Sequence, residues 1–319
     1  MSGFYPFINV AVNVKWSDDK KFKEHGRPNS IYTKQIFENG LKGVILSGLT
    51  LSSNGNACWS GHDQIPMNWA LPLSKVLKDS GKRVGISFGG INESTQDVSS
   101  KFSIEQLEKI YIEAIEMYEI DHLDICLMGS LNNVDFILKA LKKVIEKYPQ
   151  LIISITLPAS THGLNPTGMS IISKVKENQL LNNNNNNKNN LIINLITMGF
   201  YNDDWKNNMD KDIISVIKNL KDQLNSLYTS LNDDQLYQRI AITPMIGKNP
   251  DTSILSFENV KVISNFSKEK NLGFISMWNL NRDNPRNNQD AIESDEISSL
   301  NPNQKQSCQY IKAFNGSEN

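Results

Sequence analysis

The sequence predicts an α/β chain closed into a (β/α)8 TIM barrel, and three observations carry that expectation. Eight short runs rich in Ile, Val and Leu are spaced along its 319 residues. Amphipathic stretches separate them, and no strand runs into the glycine-rich phosphate loop of a dinucleotide-binding open sheet. Parallel strands covered on both faces read as such continuous apolar runs.

The first strand is FINVAVNV, from Phe7 onward, followed by KGVILSGL at 42–49, KRVGISFG at 82–89 and DHLDICLM at 121–128. LIISITLP at 151–158, LIINLITM at 191–198, QRIAITPM at 238–245 and LGFISMWN at 272–279 complete the eight. Helices are predicted between them. In 104–119 the apolar residues Leu107, Ile110, Ile115 and Tyr118 fall on helical spacings, and 134–148, 213–227 and 254–270 follow the same pattern. The barrel is expected to fill residues 1–284 as a single domain, with a polar segment and closing helix over 285–319. The asparagine run at 182–190 falls after a helix and before a strand, and is expected to be a disordered insertion on the face away from the functional loops.

A formal net charge of -1 and the absence of a dense basic block argue against nucleic acid or anionic membrane as partners. No apolar run approaches the roughly 18 residues of a spanning helix, and the first residues do not read as a signal peptide. Three cysteines (Cys58, Cys126, Cys308) show no metal-ligand spacing. The expectation is a cytoplasmic monomer without metal or cofactor, with a Cys58–Cys308 pair left open for an exported chain. His62 and His162 are read as isolated surface residues.

Three segments carry a resemblance. They are 84-VGISFGG-90 on the third strand, 121-DHLDICLM-128 on the fourth and 276-SMWNLNRD-283 at the eighth, supported by 57-ACWSG-61, 155-ITLP-158 and 243-TPMIG-247. Together they resemble glycoside hydrolase family 18, the chitinases, over almost the whole chain. In that family the fourth strand reads Asp-x-x-Asp-x-Asp-x-Glu. The resemblance implies a Glu at the barrel mouth that protonates the glycosidic oxygen, and an Asp two residues earlier that orients the substrate's acetamido group, the nucleophile of this retaining hydrolysis. An Asp-Tyr pair after strand six would hold the same acetamide.

This chain departs from the pattern at all four positions. Cys126 stands where the orienting Asp belongs and Met128 where the acid belongs, while Gly199 and Phe200 replace the Asp-Tyr pair. A thioether has no proton to give. The resemblance therefore implies a chitinase-like protein that has lost catalysis, with Trp278 as the floor beneath a bound sugar and Trp59, Phe200, Tyr201, Trp205 and Met128 around it. Asp121, Asp124, Ser87, Gly89 and Gly90 are expected to be structural supports, an Asp near the strand base bonding Ser87. The ligand would be a chito-oligosaccharide or another small molecule. Two alternatives stand beside this: a hydrolase using displaced acids (Asp203, Asp204 or Glu93), and a non-sugar scaffold.

Overall fold

The computed structural model describes residues 3–12, 30–90, 98–128, 133–181, 191–200, 205–286 and 297–316. The asparagine run, Tyr201, Asp203, Asp204 and Glu93 lie outside the described residues.

Eight parallel strands build the barrel: β1 (Phe7–Asn9), β2 (Gly43–Leu51), β3 (Arg83–Gly89), β4 (His122–Cys126), β5 (Ile152–Ser160), β6 (Leu191–Thr197), β7 (Ile240–Pro244) and β8 (Phe274–Ile275). Each pairs with the next in chain order. A parallel bridge from Phe4 to Ile275, with Tyr5 N donating to Ile275 O at 3.0 Å and Phe7 N to Met277 O at 3.2 Å, closes the cylinder. Apart from a short helix at Asp233–Tyr237, the helices are α1 (Ser30–Glu38), α2 (Leu71–Asp79), α3 (Ile104–Tyr118), α4 (Val134–Lys147), α5 (Pro166–Glu177), α6 (Trp205–Leu227), α7 (Phe257–Glu269) and α8 (Gln309–Asn315). None among the described residues is long and apolar enough to cross a membrane.

Two predicted strands are shorter than their apolar runs. The first ends at Asn9, whose side chain accepts the N–H of Ala11 at 3.1 Å and turns the chain away. The eighth keeps regular pairing only at Phe274–Ile275, although Trp278 still bridges Met245 above it. Cys58 and Cys308 are both free and buried, and burial pushes their thiols up to about 11 and about 12, so both are unreactive.

The polar tail returns to the barrel through Asp283, which is fully buried. Its Oδ1 accepts from Gln304 Nε2 at 2.7 Å and Tyr310 N at 3.1 Å, and its Oδ2 from Ile311 N at 2.9 Å. The carboxylate thereby satisfies first-turn donors of α8 from a distant part of the chain. Phe314 on α8 stacks on Phe4 at 4.6 Å, and its carbonyl accepts from Ser264 Oγ of α7 at 2.6 Å.

Asp283→Ala will leave three buried donors unpaired and cost about 3 kcal/mol at neutral pH. Burial raises the Asp283 carboxyl to about 6 against the backbone bonds that favour its charge. The folded value lies above the unfolded one, so the folded protein alone holds this proton between pH about 4 and 6. The stability it contributes is complete below that window and lost as pH rises through about 6. Thermal melts of both proteins from pH 7 to 4 will therefore show the gap widening on acidification. A constant gap would mean that Asp283 does not titrate there.

Candidate ligand-binding site

Side chains alternate across a strand, so every second residue of each strand enters the barrel. The lowest inward layer is apolar: Ile45, Ile152, Ile192, Ala241 and Phe274 pack together with Tyr5 and Phe7. His122 sits among them, edge-on to Phe274 at 5.2 Å. Burial drags its imidazole down to about 3, so it is neutral, and Nε2 meets Ser154 Oγ at 2.7 Å.

The next layer is polar and centres on Asp124, which is entirely buried. Ser87 Oγ donates to its Oδ2 at 2.6 Å, while Thr156 Oγ1, at 2.5 Å, and Ser154 Oγ donate to Oδ1. Asn194 extends the network, donating to Thr156 Oγ1 at 2.9 Å and accepting from Thr243 Oγ1 at 3.0 Å. Burial raises the Asp124 carboxyl, and the hydroxyls from Ser154, Ser87 and Thr156 oppose that rise by favouring the charged form. Three strands converge on one carboxylate, which fixes their heights relative to each other.

Above this layer a cleft of ≈ 340 Å³ opens at the C-terminal end of the strands, the face on which this architecture carries its functional loops. Three sulfur-bearing side chains face it: Cys126 and Met128 from the end of β4 and Met198 from the end of β6. Trp278 and Phe7 form an aromatic side, with ring centroids 6.1 Å apart and planes tilted by 49°. Trp278 is held by its N–H to Pro244 O at 2.8 Å and its carbonyl to Ile246 N at 3.1 Å, which leaves the indole half-buried at the rim. The non-proline cis peptides Ser47–Gly48 and Trp278–Asn279 border the same space. Among the described residues that line it, none is Asp, Glu, His, Lys or Arg. No cluster of His, Cys, Asp and Glu among the described residues could hold a metal ion.

Several expected roles are corrected by this geometry. Trp59 does not reach the cleft. It is fully buried between the β2 hairpin and α3, its Nε1 donating to Met67 O at 3.0 Å and its ring edge-on to Tyr118 at 6.2 Å. The strand Ala57–Trp59 folds back on β2, and it is the following residue, Ser60, that lines the cleft. Phe200 packs half-buried against the outer core and is not among the lining residues, because β6 ends at Thr197 and Gly199 turns the chain with φ 63°. Met198 takes the lining position instead. Asp121 keeps a structural place, though outside the barrel interior, accepting from Lys78 Nζ at 3.2 Å and Val84 N at 3.4 Å, and it is Asp124 that bonds Ser87. Gly89 meets a neighbouring backbone closely, whereas a Cβ on Gly90 would face open space, so close packing is not what requires glycine there. Tyr201 and the Trp205 side chain are outside the described residues.

Sequence reasoning missed Ser154, Thr156, Asn194 and Thr243, the partners around Asp124. Counting two residues at a time along each apolar run would have found them. Polar residues on otherwise apolar strands, at one height, signal a buried network.

No protein-family model matches the chain. Two curated proteins are similar to it: a probable bifunctional chitinase/lysozyme of Escherichia coli (strain K12) and Endochitinase 11 of Metarhizium anisopliae. Each is 26% identical over 229 residues, which is 66% of this chain. Those residues span only 24% of the first relative and 42% of the second. Among solved structures, the catalytic domain of a hyperthermophilic chitinase from Pyrococcus furiosus superposes with a TM-score of 0.81 at 22% identity, covering 99% of this chain and 94% of that one. Catalytic-site mutants of active domain 2 of a Pyrococcus furiosus chitinase, complexed with chito-oligosaccharides, match equally, at 0.81 and 22% over the same shares. A fungal endo-beta-N-acetylglucosaminidase from glycosyl hydrolase family 18 gives 0.55 at 13%, covering 90% and 92%. With the closed parallel barrel already established, these likenesses show that the chain has the chitinase-like fold of glycoside hydrolase family 18.

Proposed function

We propose that the protein binds N-acetylglucosamine-containing oligosaccharide in the mouth cleft as a monomer and does not hydrolyse it. One observation carries the reading: Met128 and Cys126 occupy the β4 end of a cleft that no carboxylate lines among the described residues. The Asp124 carboxylate is no substitute. It lies a layer lower, fully enclosed, with its oxygens bonded to three hydroxyls. General-acid catalysis requires a proton donor within hydrogen-bond reach of the leaving oxygen, and the Met128 thioether, at the position of the acid, has no proton to give. Binding needs less. An aromatic face against a pyranose ring, with hydroxyl and backbone groups beside it, is enough to hold a sugar.

The wild-type protein is expected to give calorimetric binding of chito-oligosaccharide with no chromophore released from an aryl chitobioside. Trp278→Ala should weaken that binding about 10- to 30-fold in a variant that circular dichroism shows to be folded, as for loss of an aromatic hot spot. Chromophore release by the unaltered chain would overturn the inactive reading in favour of a displaced acid. Absence of any sugar binding at millimolar concentration would leave the barrel as a platform for a different partner.

A further inference from the structure

The hydroxyls flooring the cleft have their protons committed elsewhere. Ser47 Oγ donates to Ile8 O at 3.1 Å, Ser87 Oγ and Thr156 Oγ1 donate to Asp124, and Thr243 Oγ1 donates to Asn194 Oδ1. A hydroxyl has one proton and two lone pairs, so towards the cleft these four can only accept, Thr156 with the one lone pair that Asn194 leaves it. Thr50 adds a further hydroxyl to the lining. It is 4% exposed, and its Oγ1 has no partner among the described residues. The N–H groups of lining side chains belong to Asn9 and Trp278, both near the rim. Directly beneath the floor lies the Asp124 carboxylate, with three hydroxyls around it and no lysine or arginine beside it among the described residues. A buried charge of one sign with no counter-charge is costly, and a cation placed one hydroxyl away would offset that cost.

A floor made mostly of acceptors, where Thr50 and Ser60 alone keep hydroxyl protons to give, above a buried carboxylate with no lysine or arginine beside it among the described residues, suits a group that donates several hydrogen bonds and carries positive charge. An acetamide carbonyl meets lone pairs at four of these hydroxyls, whereas a primary ammonium meets partners there for its three N–H bonds. The tilted aromatic pair of Trp278 and Phe7 adds a wall that attracts cations. We propose that the sugar seated over this floor carries a free ammonium, so that the ligand is a glucosamine-containing, partly deacetylated oligosaccharide. This inference rests on the oligosaccharide reading above and specifies the unit that occupies the floor.

Calorimetric titration with triglucosamine, tri-N-acetylglucosamine and methylammonium tests it, at a pH low enough to keep the amines charged. Triglucosamine is expected to bind at least ten-fold more tightly than the acetylated trimer, and methylammonium far more weakly than either. Asp124→Asn, which keeps the shape of the side chain and removes its charge, should cut that preference at least five-fold. If circular dichroism shows Asp124→Asn unfolded, Ser87→Ala carries the same comparison with one acceptor removed. Equal or tighter binding of the acetylated trimer overturns the inference and leaves the oligosaccharide reading standing. No binding of either sugar overturns both. Methylammonium binding as tightly as triglucosamine overturns the sugar assignment in favour of a free amine. A preference unchanged by the variant that folds removes the role given to the buried charge.

Discussion

Cys126→Asp, Met128→Glu, Gly199→Asp and Phe200→Tyr introduced together will release chromophore from an aryl chitobioside at least ~10³-fold faster than the unaltered chain. The largest share will come from the two β4 positions. Cys126 and Met128 already face the cleft in the row that begins with Asp124, so a carboxylate at each would enter the same space without moving the backbone. A carboxyl at 126 would lie directly above the Asp124 charge, and like charges at that spacing raise one another's proton affinity. That shift suits a group that must hold and pass protons near neutral pH. The two positions after β6 will contribute less. Gly199 sits at φ 63°, where an Asp costs about 1 kcal/mol, and Phe200 is turned towards the outer core. A tyrosine there must first swing into the cleft. The double variant Cys126→Asp/Met128→Glu is therefore expected within about ten-fold of the quadruple one, in line with the size of single positioning contributions. A folded quadruple variant that binds sugar yet releases nothing would mean that the cleft no longer places a glycosidic bond beside position 128.

How much of this could be read beforehand depends on which physical signal each feature leaves. The barrel was legible because strands buried on both faces must be continuous apolar runs, and the runs from β2 to β7 were found nearly intact. The ends of the barrel were not, since β1 and β8 are limited by closure geometry rather than by composition. Trp278 stands out in the sequence through the family resemblance, but Phe7 looks like an ordinary strand residue, and the two become a tilted aromatic pair only when the two ends of the chain meet. The row on β4 was legible because a period of two fixes which residues share a side. Trp59 and Phe200 were misplaced for the opposite reason. Both lie beyond regular pairing, one on a strand folded back over β2 and one past a glycine at positive φ, where alternation stops predicting direction. The polar layer around Asp124 spans strands 30 to more than 100 residues apart in sequence, and only the closed barrel brings Ser87, Ser154, Thr156, Asn194 and Thr243 to one height.

Gly89→Ala is expected to be the most damaging single methyl that can be added near the cleft. A Cβ at this position would lie 2.2 Å from the carbonyl oxygen of Cys126, on the neighbouring strand β4. The obstruction is backbone, so no side chain can rotate out of its way. Gly89 also has φ +93°, a conformation that costs an L-residue about 1–2 kcal/mol by itself. Overpacking against an atom that cannot yield adds about 1–3 kcal/mol, so the total is about 2–5 kcal/mol. For a chain of this size that corresponds to a fall in melting temperature on the order of 10 °C. Gly81→Ala separates the two causes, because Gly81 has φ +70° with nothing within 4 Å of the added carbon. It should lose only the backbone share, about a third of the effect. The damage from Gly89→Ala will also reach the ligand. Relief of the contact must move β3 away from β4, which lengthens the 2.6 Å bond from Ser87 to Asp124 and displaces Cys126 from the cleft wall. Sugar affinity should therefore fall for Gly89→Ala and stay unchanged for Gly81→Ala. If the two variants melt together, the closeness of β3 to β4 does not set the cost. If Gly89→Ala melts early yet binds as well as the unaltered chain, the network beneath the floor does not set the shape of the cleft.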